Sequence, residues 1–299
     1  MIQMIEINKT FEKHEAVKNV NMSIKKGSIY GLIGSNGAGK TTIIKLLAGI
    51  YKQDSGKVLL DGSQIFENQV LKEKIFYISD QPYFFPQYTV KQMAKFYKSI
   101  YQSWNEDRFL KLAEVFGFSM NKKLHTFSKG IQRQAAFWLA LSTMPEVLIL
   151  DEPMDGLDPV ARKKVKNLLI QDVADREMTI LISSHNLREI EDICDHIGIL
   201  HHGSLLLEKD LDDLKSDIHK VQVAYRGETP KHLENQLTML HCERRGSVMV
   251  CIIRGKEEEI EKVINETEPV IFDILPLTLE EIFIYEMGDI GYAIKNIIV

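Results

Sequence analysis

One eight-residue stretch constrains this chain more than any other. Gly34-Ser35-Asn36-Gly37-Ala38-Gly39-Lys40-Thr41 fills the pattern G-x-x-x-x-G-K-[ST]. A short apolar run, Ile29 to Ile33, precedes it, and residues 42–49 have the pattern of a helix that ends at a glycine. Strand, loop and helix in this order form a cradle whose backbone N–H groups and helix N-terminus bind phosphate. The alternative is an ordinary glycine-rich turn, but these flanks favour an α/β fold built around a phosphate-binding loop.

The polar groups of this loop have predicted roles in binding a nucleotide. Lys40 would reach the β- and γ-phosphates, and Thr41 would offer its hydroxyl to Mg²⁺. Thr42 would supply a further hydroxyl to phosphate. The predicted nucleotide contacts in the loop are Ser35, Asn36, Gly37, Ala38, Gly39, Lys40, Thr41 and Thr42.

Length, charge and cysteine content limit the class of protein. A chain of 299 residues exceeds the usual size of one hydrophobic core, so we expect a large domain and a smaller one. A net charge of -5 gives no support to a general nucleic-acid surface or a polybasic membrane anchor. No window approaches 18 continuous apolar residues, so we expect a chain that is neither secreted nor membrane-spanning. Because Cys194, Cys242 and Cys251 are odd in number and lack C-x-x-C spacing, we expect reduced thiols in a cytosolic compartment.

The segments around the loop predict two kinds of subdomain. Residues 1–30 alternate short apolar strands with polar turns, which predicts an antiparallel sheet. Phe11 lies in its first turn region, where it would stack on a nucleotide base or pack on its own strands. From Tyr83 to about residue 145 the apolar spacing is helical, and we interpret its aromatic stripe as core. Near the end of this region, the polar segment from Phe127 to Gln134 opens an apolar helix, which is another anion-binding geometry.

Carboxylates follow the next buried strand. Val147 to Leu150 is apolar and ends in Asp151 and Glu152, which would lie at the carboxyl edge of a parallel sheet. Asp151 would hold Mg²⁺ and Glu152 would orient the attacking water, although a helix N-cap is the simpler role for such a pair. His185 stands just after the following strand, at the same predicted edge.

The remaining chain changes character near Ser216. Before it, His201-His202-Gly203 lies between two apolar runs, and we interpret it as a hairpin turn rather than a metal site. We therefore predict one domain over residues 1–216 and a small α+β domain over residues 217–299. The helices predicted in the second domain are Lys231 to Leu240, Lys256 to Glu266 and Leu277 to Met287. We expect the apolar tail from Ile290 to Val299 to pack on its own domain or on a partner.

Taken together, these motifs resemble the ATP-binding subunit of ABC transporters over roughly residues 3–210. Gly34 to Thr42 is similar to the Walker A loop, and Val147 to Glu152 to the Walker B strand with its catalytic glutamate. The resemblance implies a P-loop NTPase core of the ABC type, with an N-terminal antiparallel subdomain and a helical subdomain over about residues 83–145. The family's order assigns the remaining positions as Phe11 for the aromatic on adenine, Gln81 for the Mg²⁺ and coupling sensor, Ser128 and Gly130 for the signature segment, Asp158 for the aspartate loop and His185 for the switch histidine.

The resemblance also implies partners and a reaction. Ser128 and Gly130 would contact the γ-phosphate of a facing subunit's nucleotide, so the partner is a second copy or a paralogous ATP-binding subunit. ATP with Mg²⁺ would close this dimer, and hydrolysis assisted by Lys40, Glu152 and His185 would reopen it. The loop from Gln81 to Tyr88 would pass this movement to a separate membrane permease, which places the chain in the cytoplasm, peripheral to the membrane. No nucleic-acid partner is expected.

One position departs from the family pattern. The usual signature L-S-G-G-Q is replaced by residues 127–131, F-S-K-G-I, so that Lys129 stands for the first glycine. Lys129 would weaken the fit or add a cation beside the triphosphate. Similar S-K-G signatures with a C-terminal extension occur in bacterial exporters of bacitracin, lantibiotics and peptide toxins, which favours export of a peptide, an antibiotic or a lipid-like amphiphile. The alternatives are an ABC ATPase that acts on ribosomes or DNA, and a regulatory nucleotide-binding module without turnover.

Overall fold

A computed structural model describes residues 2–226 and 233–289 of the chain. The chain divides into two compact units, one ending at Glu208 and the other beginning at Lys209. In chain order, the elements up to this division are β1 (Ile2–Phe11), β2 (His14–Ile24), β3 (Ile29–Ile33), α1 (Lys40–Leu47), β4 (Ser55–Leu60), β5 (Ser63–Gln64), α2 (Gln69–Lys72), β6 (Ile75–Ile78), α3 (Val90–Ile100), α4 (Glu106–Phe116), α5 (Lys129–Ser142), β7 (Val147–Asp151), α6 (Pro159–Arg176), β8 (Thr179–Ser184), α7 (Leu187–Glu191), β9 (His196–His201) and β10 (Ser204–Asp210), within which the division falls.

The first unit contains two sheets. The strands β2, β1, β4 and β5 lie side by side and pair antiparallel, as predicted for the N-terminal region. The second sheet has the order β10-β9-β3-β8-β7-β6, and its strands from β9 to β6 run parallel. Every residue of β3, β7 and β8 is buried, which explains why these strands appear in the sequence as continuous apolar runs. Because they are parallel and adjacent, their carboxyl ends meet at one edge of the sheet.

The core of the first unit holds α1 against the sheets. Ile43, Ile44, Leu46 and Leu47 of this helix are buried with apolar residues of β1, β3 and β7. The apolar spacing that predicted the helix therefore also anchors it. Because its N-terminus follows β3 through a short loop, packing of the helix fixes the position of that loop.

Three helices, α3, α4 and α5, lie between residues 90 and 142, in the region where the apolar spacing is helical. Trp138 of α5 is fully buried, stacks on Phe109 with ring centroids 5.0 Å apart, and donates its indole N–H to the Phe109 carbonyl. The apolar stripe predicted as core comprises Val90, Met93, Phe96, Tyr97, Ile100 and Tyr101. Val90 and Met93 are buried, but the three aromatic side chains are only partly buried and Ile100 is 45% exposed. The helices α3 and α5 are in contact.

The second unit continues with α8 (Leu211–Ser216), β11 (Ile218–Ala224), α9 (Leu233–Gln236), β12 (Thr238–Arg245), β13 (Val248–Arg254), α10 (Glu257–Asn265), β14 (Ile271–Leu275) and α11 (Leu279–Asp289). Its sheet has the order β12-β13-β11-β14, with antiparallel pairing throughout. Apolar side chains of β11, β13 and α10 form its core. The predicted tail, residues 290–299, lies outside the described residues.

Two sequence-based expectations in the second unit are wrong. The helix predicted over residues 231–240 ends at Gln236 where it is described, and Thr238 begins β12. Pairing with β13 satisfies the backbone of this segment, so tertiary context overrides its helical pattern. The cysteines are not all reduced, because Cys242 and Cys251 form a disulfide, whereas Cys194 is free and buried. The two lie opposite each other on β12 and β13, and the sequence analysis did not predict a strand at Cys242.

Candidate nucleotide site

The backbone of the phosphate-binding loop depends on two glycines. Gly39 precedes α1 with a φ of 109°, and a Cβ atom there would lie 2.6 Å from the carbonyl oxygen of Ala16. A Cβ atom on Gly34 would lie 2.5 Å from the carbonyl oxygen of Leu200. Both distances are too short for any side chain, so the loop takes this path only with glycine at these positions.

The side chains of the loop divide into buried and open groups. Lys40 is 6% exposed, and its Nζ donates to the Gly34 carbonyl at 2.6 Å. Ala38 is also buried, while Ser35, Asn36, Gly37 and Thr41 are exposed, and Gly39 and Thr42 are intermediate. The ammonium group is thus held inside a loop whose outer face is open.

Asp151 is the last residue of β7 and is buried beside the end of β8. Ser183 lies directly opposite it in the parallel register and donates its hydroxyl to Asp151 Oδ1 at 2.7 Å. The other oxygen, Oδ2, is buried and has no hydrogen-bond partner among the described residues. An unpaired carboxylate oxygen in a buried position is costly, so it calls for a cation or a water. This donor set fits Mg²⁺, which prefers carboxylate, hydroxyl and water oxygens.

Glu152 lies between the lysine and the histidine. Its Oε1 is 3.2 Å from Lys40 Nζ, and its Oε2 is 2.9 Å from His185 Nδ1. Because a carboxylate only accepts hydrogen bonds, this contact requires the proton on Nδ1. The edge of the sheet therefore brings together three residues that sequence spacing alone had predicted separately, Lys40, Glu152 and His185.

The backbone of Glu152 is held in an unusual conformation. Its φ is 46°, in the left-handed region that costs a non-glycine residue about 1–2 kcal/mol. The N–H of Glu152 donates to Ser183 Oγ at 3.0 Å. The carbonyl of Glu152 accepts a hydrogen bond from Arg133 Nη1 at 2.6 Å. Hydrogen bonds on both sides of the residue thus hold it in this conformation.

The other predicted site residues lie apart from this cluster. Gln81 is exposed and follows β6, and Ser128 accepts from the Ile131 N–H as the N-cap of α5. Lys129, the first residue of α5, is exposed, and Phe11 packs edge-on against Tyr51 with ring centroids 5.3 Å apart. Gly130 approaches the backbone so closely that its Cβ would lie 2.6 Å from the Gly156 carbonyl oxygen. In residues 2–226 and 233–289, no hydrogen bond or ion pair joins these side chains to Lys40 or Glu152.

Three functional candidates were missed from the sequence: Ser183, Arg133 and Asp155. The parallel register was the available signal for Ser183, because it places the end of β8 beside Asp151. Asp155 joins Glu152 and His185 in a group whose potential metal-ligand atoms all lie within 4.8 Å of one another. Arg133 is 9% exposed. Desolvation lowers the pKa of its guanidinium, and the carboxylates of Asp155, Asp80 and Glu152 oppose that shift.

The fold and the site define a P-loop nucleotide-binding protein. Residues 17–155 match the ABC transporter family. Over 289 residues, the chain is 34% identical to the ABC transporter ATP-binding protein YtrB of Bacillus subtilis, covering 96% of this chain and 98% of that protein. The chain therefore belongs to the ATP-binding proteins of ABC transporters, as its motifs predicted. It is the ATP-binding subunit of such a transporter and an ATPase.

Other relatives and solved structures agree with this assignment. The bacitracin transport ATP-binding protein BcrA of Bacillus licheniformis is 31% identical over 289 residues, covering 94% of each chain. The lantibiotic transport ATP-binding protein SrtF of Streptococcus pyogenes is 33% identical, covering 71% of this chain and 92% of its own. A solved ATP-binding subunit of an ABC transporter matches with a TM-score of 0.67 at 25% identity, over 72% of this chain and 92% of its own. A dimeric cassette bound to ADP and Pi shares the fold, with a TM-score of 0.64 at 22% identity.

The length and apolar character of the described helices show whether any of them could span a membrane. Within residues 2–226 and 233–289, no helix has both the length and the apolar character needed to cross a bilayer.

Proposed function

We propose that this chain hydrolyses MgATP at the interface of two ATP-binding subunits and drives a separate membrane permease that exports a peptide, an antibiotic or a lipid-like amphiphile. The observation that carries the proposal is the position of Glu152 between Lys40 and His185 at the carboxyl edge of the sheet. A carboxylate beside a phosphate-binding lysine is placed to orient water towards the γ-phosphate. The export of such compounds is supported by the names of two relatives, which refer to bacitracin and to lantibiotics.

In this proposal each site residue has one role. Residues 35–42 bind the triphosphate, with Lys40 on its β- and γ-phosphates, and Phe11 stacks on adenine. Glu152 acts as the base that positions water, and His185 stabilises the negative charge that develops on the γ-phosphoryl group. Thr41, Gln81 and Asp151 would hold Mg²⁺, which supplies positive charge to the phosphates. The buried, unpaired Oδ2 of Asp151 is the feature that supports this metal site.

A facing subunit completes the site in the proposed mechanism. Ser128, Lys129 and Gly130 lie at the N-terminus of α5 and have no side-chain contact with Lys40 or Glu152 in the described part of the chain. We assign them to the nucleotide held by the facing subunit, which is a second copy or a paralogue. The exposed loop from Gln81 to Tyr88 would contact the permease and keep the chain at the cytoplasmic face of the membrane. Residues 217–299 remain a proposed accessory domain.

Replacement of the proposed base tests the reaction. Glu152→Gln should bind ATP but hydrolyse it at least a hundredfold more slowly, because the amide is a poor base, and ATP should trap a dimer visible by size-exclusion chromatography. Glu146→Gln is the matched control, since Glu146 is an exposed carboxylate that pairs with Lys74 just before β7 begins. ATPase activity near wild type in Glu152→Gln would contradict the role of Glu152.

The export proposal needs a cellular measurement. Cells that express the chain with its permease should tolerate more bacitracin or lantibiotic than cells that express Glu152→Gln with the same permease. Equal tolerance to both compounds would contradict the proposed substrate class, while the ATPase assay would still report on the site. Co-purification of the chain with a polytopic membrane protein would support the transport assembly.

A further inference from the structure

The guanidinium of Arg133 connects three segments of the candidate site. Arg133 belongs to α5, the helix that begins with Lys129 and is capped by Ser128. Its Nη1 donates to the carbonyl of Glu152 at 2.6 Å, and its Nη2 donates to the carbonyl of Asp80. Asp80 directly precedes Gln81. One buried side chain thus joins the helix of the signature segment, the residue proposed as base and the start of the Gln81 loop.

The hydrogen bond from Arg133 restrains the backbone of Glu152. Glu152 has a φ of 46°, so its local conformation is unfavourable without external restraint. Ser183 holds its N–H, and Arg133 holds its carbonyl. Without Arg133, the carbonyl keeps the longer hydrogen bond from the Asp155 N–H at 3.4 Å but loses the shorter one. The peptide is then less restrained from relaxing towards a negative φ, which would move the side chain relative to Lys40 and His185. The position of the carboxylate therefore depends on a residue that does not itself touch it.

The groups around position 133 favour arginine over lysine. The carboxylates of Asp155, Asp80, Glu152 and Asp151 all act on its guanidinium. A planar guanidinium with five donors binds two carbonyls in fixed directions, whereas an ammonium group is a compact charge on a flexible stem. Lysine at this position would keep the positive charge but would lose the double contact.

We propose that Arg133 is a positioning residue that couples the Gln81 loop and α5 to the orientation of Glu152. Displacement of either segment pulls on the same guanidinium and so disturbs the backbone of Glu152. The reaction is then fast only when both segments have the arrangement seen here. This inference rests on the proposed role of Glu152 as base.

Conservative replacement of Arg133 tests the inference kinetically. In the full-length chain, Arg133→Lys should lower kcat about tenfold or more, while KM for ATP and the affinity for a fluorescent ATP analogue should stay within about twofold. Arg176→Lys is the matched control. Arg176 also donates Nη1 to a backbone carbonyl, that of Pro145, but near the opposite end of β7. Both variants thus lose an arginine hydrogen bond to a backbone carbonyl. Arg176 is partly buried and also pairs with Asp172, so its replacement should cost at least as much stability, and only Arg133→Lys should lower kcat.

Hydrogen exchange provides a readout that a purely structural role would not change in the same way. In Arg133→Lys, amide exchange should accelerate in peptides that contain residues 80–82 and 152–155, while the melting temperature should fall no further than in Arg176→Lys. A kcat within twofold of wild type, or accelerated exchange spread over the whole first unit, would overturn the inference. Glu152→Gln separates the two proposals. If this variant hydrolyses ATP normally, the proposed base is wrong. If it hydrolyses ATP slowly while Arg133→Lys has a normal kcat, only the coupling role of Arg133 is wrong.

Discussion

At the scale of single residues, the site is a set of contacts around two carboxylates, one buried (Asp151) and one partly buried (Glu152). Sequence reasoning predicted Lys40, Asp151, Glu152 and His185, because a glycine-rich loop and strand ends identify a sheet edge. It did not find Ser183, whose hydroxyl donates to Asp151 and accepts from the Glu152 N–H. A serine in an apolar strand carries no signal until the register of that strand is known.

Ser183→Ala should weaken both the site and the fold. The change leaves Asp151 Oδ1 and the Glu152 N–H without their buried partner, which costs about 1–3 kcal/mol in unfolding free energy. ATPase activity should fall, and more Mg²⁺ should be needed for half-maximal rate. Chemical denaturation and Mg²⁺ titration of the ATPase measure these effects.

The control for this prediction is Ser142→Ala. Ser142 is as buried as Ser183, but its hydroxyl donates to the Trp138 carbonyl within α5 and lies far along the helix from Ser128. We expect a loss of stability without a change in Mg²⁺ requirement. An unaltered Mg²⁺ requirement in Ser183→Ala would show that its hydrogen bond does not tune Asp151.

Lys129 has a separate prediction at this scale. It is the exposed first residue of α5. A positive charge at a helix N-terminus interacts unfavourably with the helix dipole, at a cost of up to about 1 kcal/mol in stability. If its charge contacts the nucleotide of the facing subunit, Lys129→Gly should change the apparent ATP affinity of the Glu152→Gln dimer, and Lys129→Gln should do the same. Unchanged affinity in both variants would mean that the departure from the family signature has no role in binding.

At the scale of elements, the main error of sequence reasoning concerns β12. The helical pattern around residues 231–240 is local, whereas β12 exists because β13 provides a pairing edge from Thr238 to Arg245. The same pairing places Cys242 opposite Cys251, with Cα atoms 4.1 Å apart. Local periodicity misses β12 because its strand conformation depends on this long-range pairing.

The disulfide predicts how many cysteines can react with an alkylating reagent. Burial raises the pKa of the Cys194 thiol well above its usual value, so Cys194 stays protonated and inaccessible at neutral pH. Alkylation followed by mass spectrometry should label no cysteine in the native protein and Cys194 after denaturation. All three cysteines should react when the protein is both denatured and reduced. Labelling of Cys242 in the denatured, unreduced protein would contradict the pairing.

At the scale of the whole molecule, the chain separates into two units, and every site residue from Phe11 to His185 lies in the first. The disulfide lies in the second, where it closes a loop of sequence separation 9. Cross-linking a loop of this size restricts the unfolded chain and contributes about 2–3 kcal/mol. The second unit therefore has a covalent cross-link that adds to the stability given by its core.

Removal of the disulfide should affect one unit only. Cys242→Ser with Cys251→Ser should lower the unfolding temperature of the second unit, while kcat for ATP in the isolated protein should stay within twofold of wild type. Differential scanning calorimetry and an ATPase assay measure the two effects, and Cys194→Ala is the control that keeps the disulfide. A large loss of ATPase activity in the double variant would show that the second unit acts on the site.

The sequence by itself determined the parts of this protein that depend on local pattern: the loop from Gly34 to Thr41, the buried strands, the sheet edge with Asp151 and Glu152, and the family to which the chain belongs. Only the tertiary structure decided that Glu152 contacts both Lys40 and His185, that Ser183 and Arg133 hold its backbone, and that Cys242 meets Cys251. The physical reason is the range of the interaction. Periodicity and turn chemistry act over a few residues, whereas these contacts join segments that only strand register and helix packing bring together.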